Sequence, residues 1–279
     1  MEHLTALPWI EFEGSGSMKR GIIGWMILLG MGILGLWGSP ARGQHPGEFA
    51  PADSLSRPVP IREWETTLLT EDGLHIRATV YRREYLPQAV PAVVLIHQGG
   101  GDRRQWRRFA RRLARLGYLA LAYDVRGHGE SDRVSNLHAV FNDPSQAPRD
   151  LAAVLEYLRR RPEVNHLRVA VVGASIGGNL AALATSELKV KTAVAISPRA
   201  PAVFRLAGKK RLHLRSVFYI SSIGDQQGRR AVWAKELYQQ TAGPRAIELV
   251  EHSDSHGMEI LRQNPRIEQK IVRWLQETL

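Results

Sequence analysis

Residues 171–178 read VVGASIGG and join a run of apolar residues to the start of a candidate helix at Ile176. Gly173, Ser175 and Gly177 match the pattern G-x-S-x-G, in which a sharp turn between a strand and a helix exposes a nucleophilic serine. A dinucleotide-binding loop has the pattern G-x-G-x-x-G and would need a glycine in place of Ser175, so we reject that interpretation. Taken alone, the motif also fits a structural turn whose serine takes no part in a reaction.

Short apolar runs alternate with amphipathic segments on both sides of this turn, which predicts strands separated by helices. The predicted strands are residues 62–69, 75–81, 92–96, 118–123, 168–172, 191–196, 216–220 and 246–250. The predicted helices are residues 102–115, 148–160, 176–187, 229–240 and 265–279. Because the strands lack polar alternation, we expect an α/β fold, with a mostly parallel sheet of about eight strands and helices on both faces.

Two further side chains share the edge of the predicted sheet at which Ser175 lies, since functional groups gather at the carboxyl ends of parallel strands. Asp225 follows the predicted strand 216–220, and His256 follows the strand 246–250. Serine, acid and histidine in this chain order predict a triad on this fold. In it Ser175 is the nucleophile, His256 is the base, and Asp225 holds the histidine in its correct tautomer.

Each role has a rival or an alternative. His252 lies in the same loop as His256, but the glycine after His256 suits a backbone bent around a projecting ring. Asp254 lies only two residues from the base that it would have to orient, so Asp225 is preferred. The oxyanion hole is predicted to combine the N–H of Ile176 with that of Gly99, and Gln98 is the alternative second donor.

These residues resemble the α/β-hydrolase fold family over residues 61–279, and within it the small dienelactone-hydrolase-like and serine-esterase branches. The matching segments are LIHQGGG (95–101), YDVRGHGES (123–131), GASIGG (173–178), IGDQQ (223–227) and SHGMEIL (255–261). Asp124 and His128 lie in the second segment, and the resemblance implies that this loop is structural rather than catalytic. Dienelactone hydrolases use a cysteine nucleophile, which this chain lacks, and Gln98 stands where relatives mostly have glycine.

The resemblance implies a serine hydrolase that cleaves carboxylic esters of small molecules through an acyl-enzyme intermediate, without a metal or organic cofactor. A serine peptidase or an acyltransferase would use the same triad, and a non-catalytic binding protein of the cell envelope is the alternative outside enzymes. Only residues 199–215 remain where relatives often insert a lid, so we expect an open site that favours short or bulky soluble esters. Because a neutral imidazole must accept the proton, activity should fall as the pH drops through about 6.5.

The start of the chain predicts export. Residues 21–38 carry no charge and follow Lys19 and Arg20, so residues 1–43 are expected to be a signal peptide or an N-terminal membrane anchor. Met18 is an alternative start, because the residues before it are acidic where a signal peptide is basic. Residues 44–60 predict a flexible linker, residues 61–279 the hydrolase domain, and the destination is the periplasm or the exterior.

The chain of 279 residues has a net charge of +11 and no cysteine, which excludes disulfides and thiolate chemistry. A strongly basic protein is a candidate for binding nucleic acid, but the predicted export argues against a nucleic-acid partner. Much of the charge lies in the segment 102–115, where arginines alternate with apolar residues at helical spacing. We expect a core-packed helix with a solvated basic face, and attraction to anionic lipid headgroups is the alternative. The oligomeric state stays open.

Overall fold

A computed structural model describes residues 59–279, and within that range eight strands form one sheet. The strands are β1 (Ile61–Leu69), β2 (His75–Arg83), β3 (Val90–Ile96), β4 (Leu119–Tyr123), β5 (Val164–Ala174), β6 (Thr192–Ile196), β7 (Arg215–Ser222) and β8 (Ala242–Val250). The helices are α1 (Arg107–Arg115), α2 (Leu137–Val140), α3 (Ala147–Arg159), α4 (Ile176–Glu187), α5 (Ala200–Ala207), α6 (Arg229–Gln240), α7 (Met258–Gln263) and α8 (Pro265–Thr278). The predicted signal peptide or anchor and nearly all of the predicted linker lie outside the described residues.

The sheet confirms the predicted fold class. Its strand order is β1-β2-β4-β3-β5-β6-β7-β8, and β2 runs antiparallel to both of its neighbours while β3 to β8 pair in parallel. The central strands β4 and β6 are buried at every residue. Helices cover both faces of these strands, which is why their sequences are apolar without alternation.

Two hydrophobic cores lie on opposite faces of the sheet. Successive residues of a strand point to opposite faces, so Val94 joins the core under α3, α4, α5 and α6, whereas Val93 and Leu95 join the core under α1, α7 and α8. The carboxyl ends of β3, β5, β6, β7 and β8 therefore meet at one edge between these two layers. The loops at this edge carry the candidate site.

The structure adds three short helices that the sequence pattern did not predict. α2 has four residues, α7 has six and α5 has eight, and segments of this length contain too few turns for a helical period to be recognised. The predicted helix 102–115 begins with a 3-10 turn, Arg103–Trp106, before α1 starts. Strands β5 and β8 also begin four residues earlier than predicted.

The basic face predicted for the segment 102–115 is neutralised by acidic partners rather than simply solvated. Six of its seven arginines form ion pairs with carboxylates of the described chain. Arg108 and Arg112 both contact Glu268 of α8, and Arg111 contacts Glu63 of β1. This pairing leaves little free charge for the alternative in which the helix binds lipid headgroups.

Within residues 59–279, no helix has the length and apolar character that a membrane span requires.

Candidate active site

Ser175 lies at the turn between β5 and α4, in a backbone conformation of φ 54° and ψ −108°. The glycines around it are required by close packing. A Cβ on Gly173 would overlap the carbonyl group of Gly177, and a Cβ on Gly177 would overlap the carbonyl oxygen of Ile96. The Ser175 N–H donates to the Ile196 carbonyl over 2.8 Å, which holds the turn against β6.

The structure brings the three predicted side chains into one hydrogen-bonded chain. The distance from His256 Nε2 to Ser175 Oγ is 2.8 Å, and that from His256 Nδ1 to Asp225 Oδ2 is 2.7 Å. Asp225 is only 2% exposed, whereas His256 is partly open to solvent. Because an ionised carboxylate can only accept, the proton of the neutral imidazole belongs on Nδ1, and Nε2 is free to accept from the serine hydroxyl.

The loop that carries Asp225 is held by backbone hydrogen bonds to its neighbours. The N–H of Gly224 donates to the Ser253 carbonyl over 2.8 Å, which ties this loop to the loop that carries His256. The Asp225 carbonyl accepts from the N–H groups of Gly228 and Arg230, at 3.2 and 3.3 Å. These contacts fix the carboxylate beneath the imidazole.

The loop of His256 is anchored just after the histidine. Gly257 has φ 57° and its N–H donates to Ser197 Oγ over 3.0 Å, while the Met258 N–H donates to Gln98 Oε1 over 2.8 Å. The rivals His252 and Asp254 are both exposed, and neither contacts Ser175. The structure therefore brings His256 and Asp225, rather than His252 and Asp254, to Ser175.

Gln98 has a structural contact that the sequence pattern did not reveal. Its side chain reaches the His256 loop, and its carbonyl accepts from His97 Nδ1 and from the Gly101 N–H. The neighbouring Gly99 lies beside Ile176, since a Cβ on Gly99 would be 3.9 Å from Ile176 Cγ2. Within residues 59–279 the Gly99 N–H donates no hydrogen bond, so it is available to a ligand at the helix start.

His97 and the loop after β4 form the floor of this edge. His97 is fully buried, its Nε2 accepts from the Val125 N–H over 3.0 Å, and burial lowers its pKa. Asp124 accepts from the Arg103 guanidinium and from the backbone N–H groups of Arg103 and Glu130. The ring of His128 lies 5.1 Å from that of His97. Neither Asp124 nor His128 contacts Ser175.

A cavity of about 660 Å³ lies at the opposite, amino edge of the sheet, and Lys189, Lys191 and Arg215 are among its lining residues. It is separated from Ser175 by the length of the strands and belongs to no part of the candidate site. Among residues 59–279, no three His, Asp or Glu side chains are grouped so that they could hold a metal ion.

Parts of this chain are similar in sequence to known proteins. A family model described as the alpha/beta hydrolase fold matches residues 91–221. The uncharacterized protein YfhR of Salmonella typhi is 26% identical over 135 residues, which cover 47% of this chain and 43% of YfhR. The thiohydrolase apmlB of Arthrinium phaeospermum is 29% identical over 126 residues, which cover 40% of each chain. The similarity therefore spans less than half the length of these curated relatives.

Solved structures extend the similarity over most of the described residues. The acetyl xylan esterase from Paenibacillus sp. R4 superposes with a TM-score of 0.63, covering 78% of this chain and 84% of the esterase. The sequence identity is 21%, so the likeness concerns the fold.

Proposed function

The chain belongs to the α/β-hydrolase fold family, and we propose that it is a serine hydrolase that cleaves carboxylic esters. The observation that carries the proposal is the chain of hydrogen bonds from Ser175 through His256 to the buried Asp225, at 2.8 and 2.7 Å. A serine hydroxyl is a weak nucleophile until a base within hydrogen-bonding distance takes its proton. Both distances fall in the range that such a transfer requires.

In the first half of the proposed reaction, Ser175 Oγ attacks the carbonyl carbon of the ester while its proton passes to His256 Nε2. The carbonyl oxygen becomes an oxyanion, which the N–H groups of Ile176 and Gly99 stabilise by donating to it. Asp225 stabilises the imidazolium ion through Nδ1. The bond to the alcohol oxygen then breaks, His256 returns its proton to that oxygen, and an acyl group remains on Ser175.

In the second half, water takes the place of the alcohol. His256 accepts a proton from the water as its oxygen attacks the acyl carbon, and the same two N–H groups stabilise the second oxyanion. The bond to Ser175 Oγ breaks, and the imidazolium returns the proton to the serine. The products are a carboxylic acid and an alcohol, and the protein regains its starting state.

The proposal places this activity outside the cytoplasm, in the periplasm or beyond it. The support is the uncharged segment 21–38 behind Lys19 and Arg20, which lies outside the described residues. The proposal names esters because a similar curated protein is named a thiohydrolase, and peptides enter the test because similar solved structures include both an esterase and a dipeptidyl aminopeptidase.

Replacement of the nucleophile tests the proposal directly. Ser175→Ala should abolish covalent labelling by a fluorophosphonate and lower ester hydrolysis by about 10⁴-fold or more, because no other group replaces the attacking oxygen. Ser186→Ala, on the same helix α4, is the matched control and should keep both properties.

Labelling that persists in Ser175→Ala would rule out Ser175 as the nucleophile. A panel of acyl esters and peptides, assayed with the unaltered protein, separates the ester proposal from a peptidase. Cleavage of peptides with no turnover of esters would leave the nucleophile in place and reject the ester substrate.

A further inference from the structure

Two arginines lie at the same edge of the sheet as Ser175, and neither forms an ion pair with a carboxylate of residues 59–279. Arg199 precedes α5, just after β6 ends, and Arg230 lies in the first turn of α6. Arg230 is 7% exposed and Arg199 is partly buried. One guanidinium group is thus buried and the other partly buried without a direct ion pair, and the Asp225 carboxylate, which binds His256, acts on Arg230 only from beyond ion-pair distance.

Two hydrogen bonds connect Arg230 to the turn that carries Ser175. The Ser175 N–H donates to the carbonyl of Ile196, and the carbonyl of the next residue, Ser197, accepts from Arg230 Nη1 over 2.8 Å. The guanidinium of Arg230 is therefore bound one residue away from the direct partner of Ser175.

Arg199 is joined to the same helix start through Asn179. The Arg199 N–H donates to Asn179 Oδ1 over 2.7 Å, and the Asn179 N–H donates to the Ser175 carbonyl over 3.0 Å. Within residues 59–279 the Arg199 guanidinium itself makes no hydrogen bond. Its donors are therefore available to a ligand.

Trp233 lies close to both cations. The guanidinium carbons of Arg199 and Arg230 lie 5.9 and 5.6 Å from the centre of its ring. A ring face attracts a cation, so Trp233 stabilises both charges without neutralising either. Burial lowers the pKa of both arginines; at Arg230 the negative charge of Asp225 offsets part of this effect, and the positive charge of Arg199 adds to it.

The other buried arginines of the described chain form ion pairs with carboxylates. Arg103 binds the carboxylate of Asp124, and Arg126 binds those of Asp72 and Asp150. A buried charge is costly unless an opposite charge compensates it. The absence of such an ion pair at Arg199 and Arg230 among the residues described, with the Asp225 carboxylate already bound to His256, leaves both guanidinium groups able to take an anionic ligand.

We propose that the ester carries a second, anionic oxyacid group, which Arg199 and Arg230 bind while Ser175 attacks the carbonyl carbon. This inference rests on the proposed function and names the substrate class of the same site. Guanidinium groups donate paired N–H bonds to carboxylate, phosphate or sulfonate oxygens, so these groups share the required chemistry. The exposed Arg205 and Lys210 extend the positive charge along α5 and its end, which would draw such an ester toward the site.

The test compares esters that differ in charge and little else. Charge on the alcohol side is tested with 4-acetoxybenzoate against the neutral 4-acetoxybenzamide, with 4-acetoxybenzenesulfonate and 4-acetoxyphenyl phosphate as the other anions. Charge on the acyl side is tested with phenyl 4-carboxybenzoate against phenyl 4-carbamoylbenzoate. In at least one set we expect kcat/KM to favour the anionic ester by about tenfold or more.

Arg199→Gln should bring that preference close to unity by lowering kcat/KM for the anionic ester far more than for the neutral ester, whereas Arg199→Lys should retain part of the preference. Arg273→Gln is the matched control, because it removes the same charge from an exposed position on α8. The inference is overturned if no set shows a preference, or if Arg199→Gln lowers both members of a pair equally.

A binding experiment separates this inference from the proposed function. Isothermal titration of the Ser175→Ala protein with the same esters measures charge recognition without any turnover, and Arg199→Gln is added in that background. Binding of the anion that depends on Arg199 supports the inference even if no ester is cleaved. Equal binding of anionic and neutral esters, or binding that Arg199→Gln does not weaken, rejects it whatever the fate of the fluorophosphonate experiment.

Discussion

Ser175 is one of five non-glycine residues that adopt a positive φ at the carboxyl edge of the sheet. The five are Ser175, Ser197, Gln226, Gln227 and His252, and the part of the chain that the structure describes holds only two others. Such conformations are disfavoured for residues with a side chain, so they persist where the surroundings determine them and they gather at functional sites. The strain therefore marks the same loops that the hydrogen bonds of Ser175 and His256 identify.

His97 is a residue whose burial makes stability depend on pH. Burial lowers its pKa, so on acidification the unfolded chain takes up a proton before the folded chain does. The contribution of neutral His97 to the free energy of unfolding should therefore be complete above about pH 6.5. It should fall as the pH drops toward the lowered pKa of His97. Urea unfolding at pH 7.5 and pH 5.5 measures the difference.

His97→Gln should reduce this pH dependence, because glutamine has no proton to gain in that range. The exposed His252, replaced by glutamine, is the matched control and should keep the behaviour of the unaltered protein. If His97→Gln and the unaltered protein lose equal stability between the two pH values, another group accounts for the effect.

At the scale of elements, the 3-10 turn and α1 are joined to three strands or loops by their arginines. Arg103 is 1% exposed and binds Asp124, Glu65 and Glu130, and Thr79 accepts from its Nε over 3.0 Å. The Arg103 N–H also donates to Asp124, so one carboxylate fixes both the backbone and the side chain. This network holds the segment after Gly101 against the sheet.

Asp124→Asn should destabilise the protein by about 3 kcal/mol, because it leaves the buried Arg103 without its closest counter-charge. Urea unfolding measures the change, and fluorophosphonate labelling of the folded variant should persist at a similar rate. Glu259→Gln breaks an exposed pair with Arg262 and is the control, with an expected change below about 1 kcal/mol. A folded Asp124→Asn protein that no longer reacts with the fluorophosphonate would mean that this loop takes part in the chemistry.

At the scale of the whole molecule, the connection from β6 to β7 consists of one short helix, α5, and its flanking residues. A long acyl chain gains affinity by burying its surface in an apolar cleft. A connection of this length adds no separate layer over the edge where Ser175 lies. The expected substrates are therefore esters whose acyl groups need no deep channel.

We expect kcat/KM for 4-nitrophenyl butyrate to exceed that for 4-nitrophenyl palmitate by about 10²-fold, because restricting the longer chain of palmitate at the site costs free energy that no apolar cleft compensates. Both esters are assayed below the concentration at which palmitate aggregates. Phenyl butyrate, which differs from 4-nitrophenyl butyrate in the alcohol rather than in chain length, provides the reference rate. Equal or faster cleavage of the palmitate ester would require an acyl pocket and contradict the prediction.

The amino-acid sequence alone determined the parallel sheet, the turn around Ser175 and the chain order of Ser175, Asp225 and His256. These features depend on local properties, namely apolar periodicity and turn-forming glycines, and on the rule that functional groups follow strand ends. The helices α2, α5 and α7 escaped prediction because each is too short to show a period.

The tertiary structure decided which distant residues meet. It brought His256 rather than His252 to Ser175, it placed the Gln98 side chain on the Met258 N–H, and it paired Arg108 and Arg112 with Glu268. It also brought Arg199 and Arg230 to one indole ring, and neither forms an ion pair among the described residues. Such contacts join elements far apart in the chain, so they depend on how the layers pack, and no local pattern of residues encodes that packing.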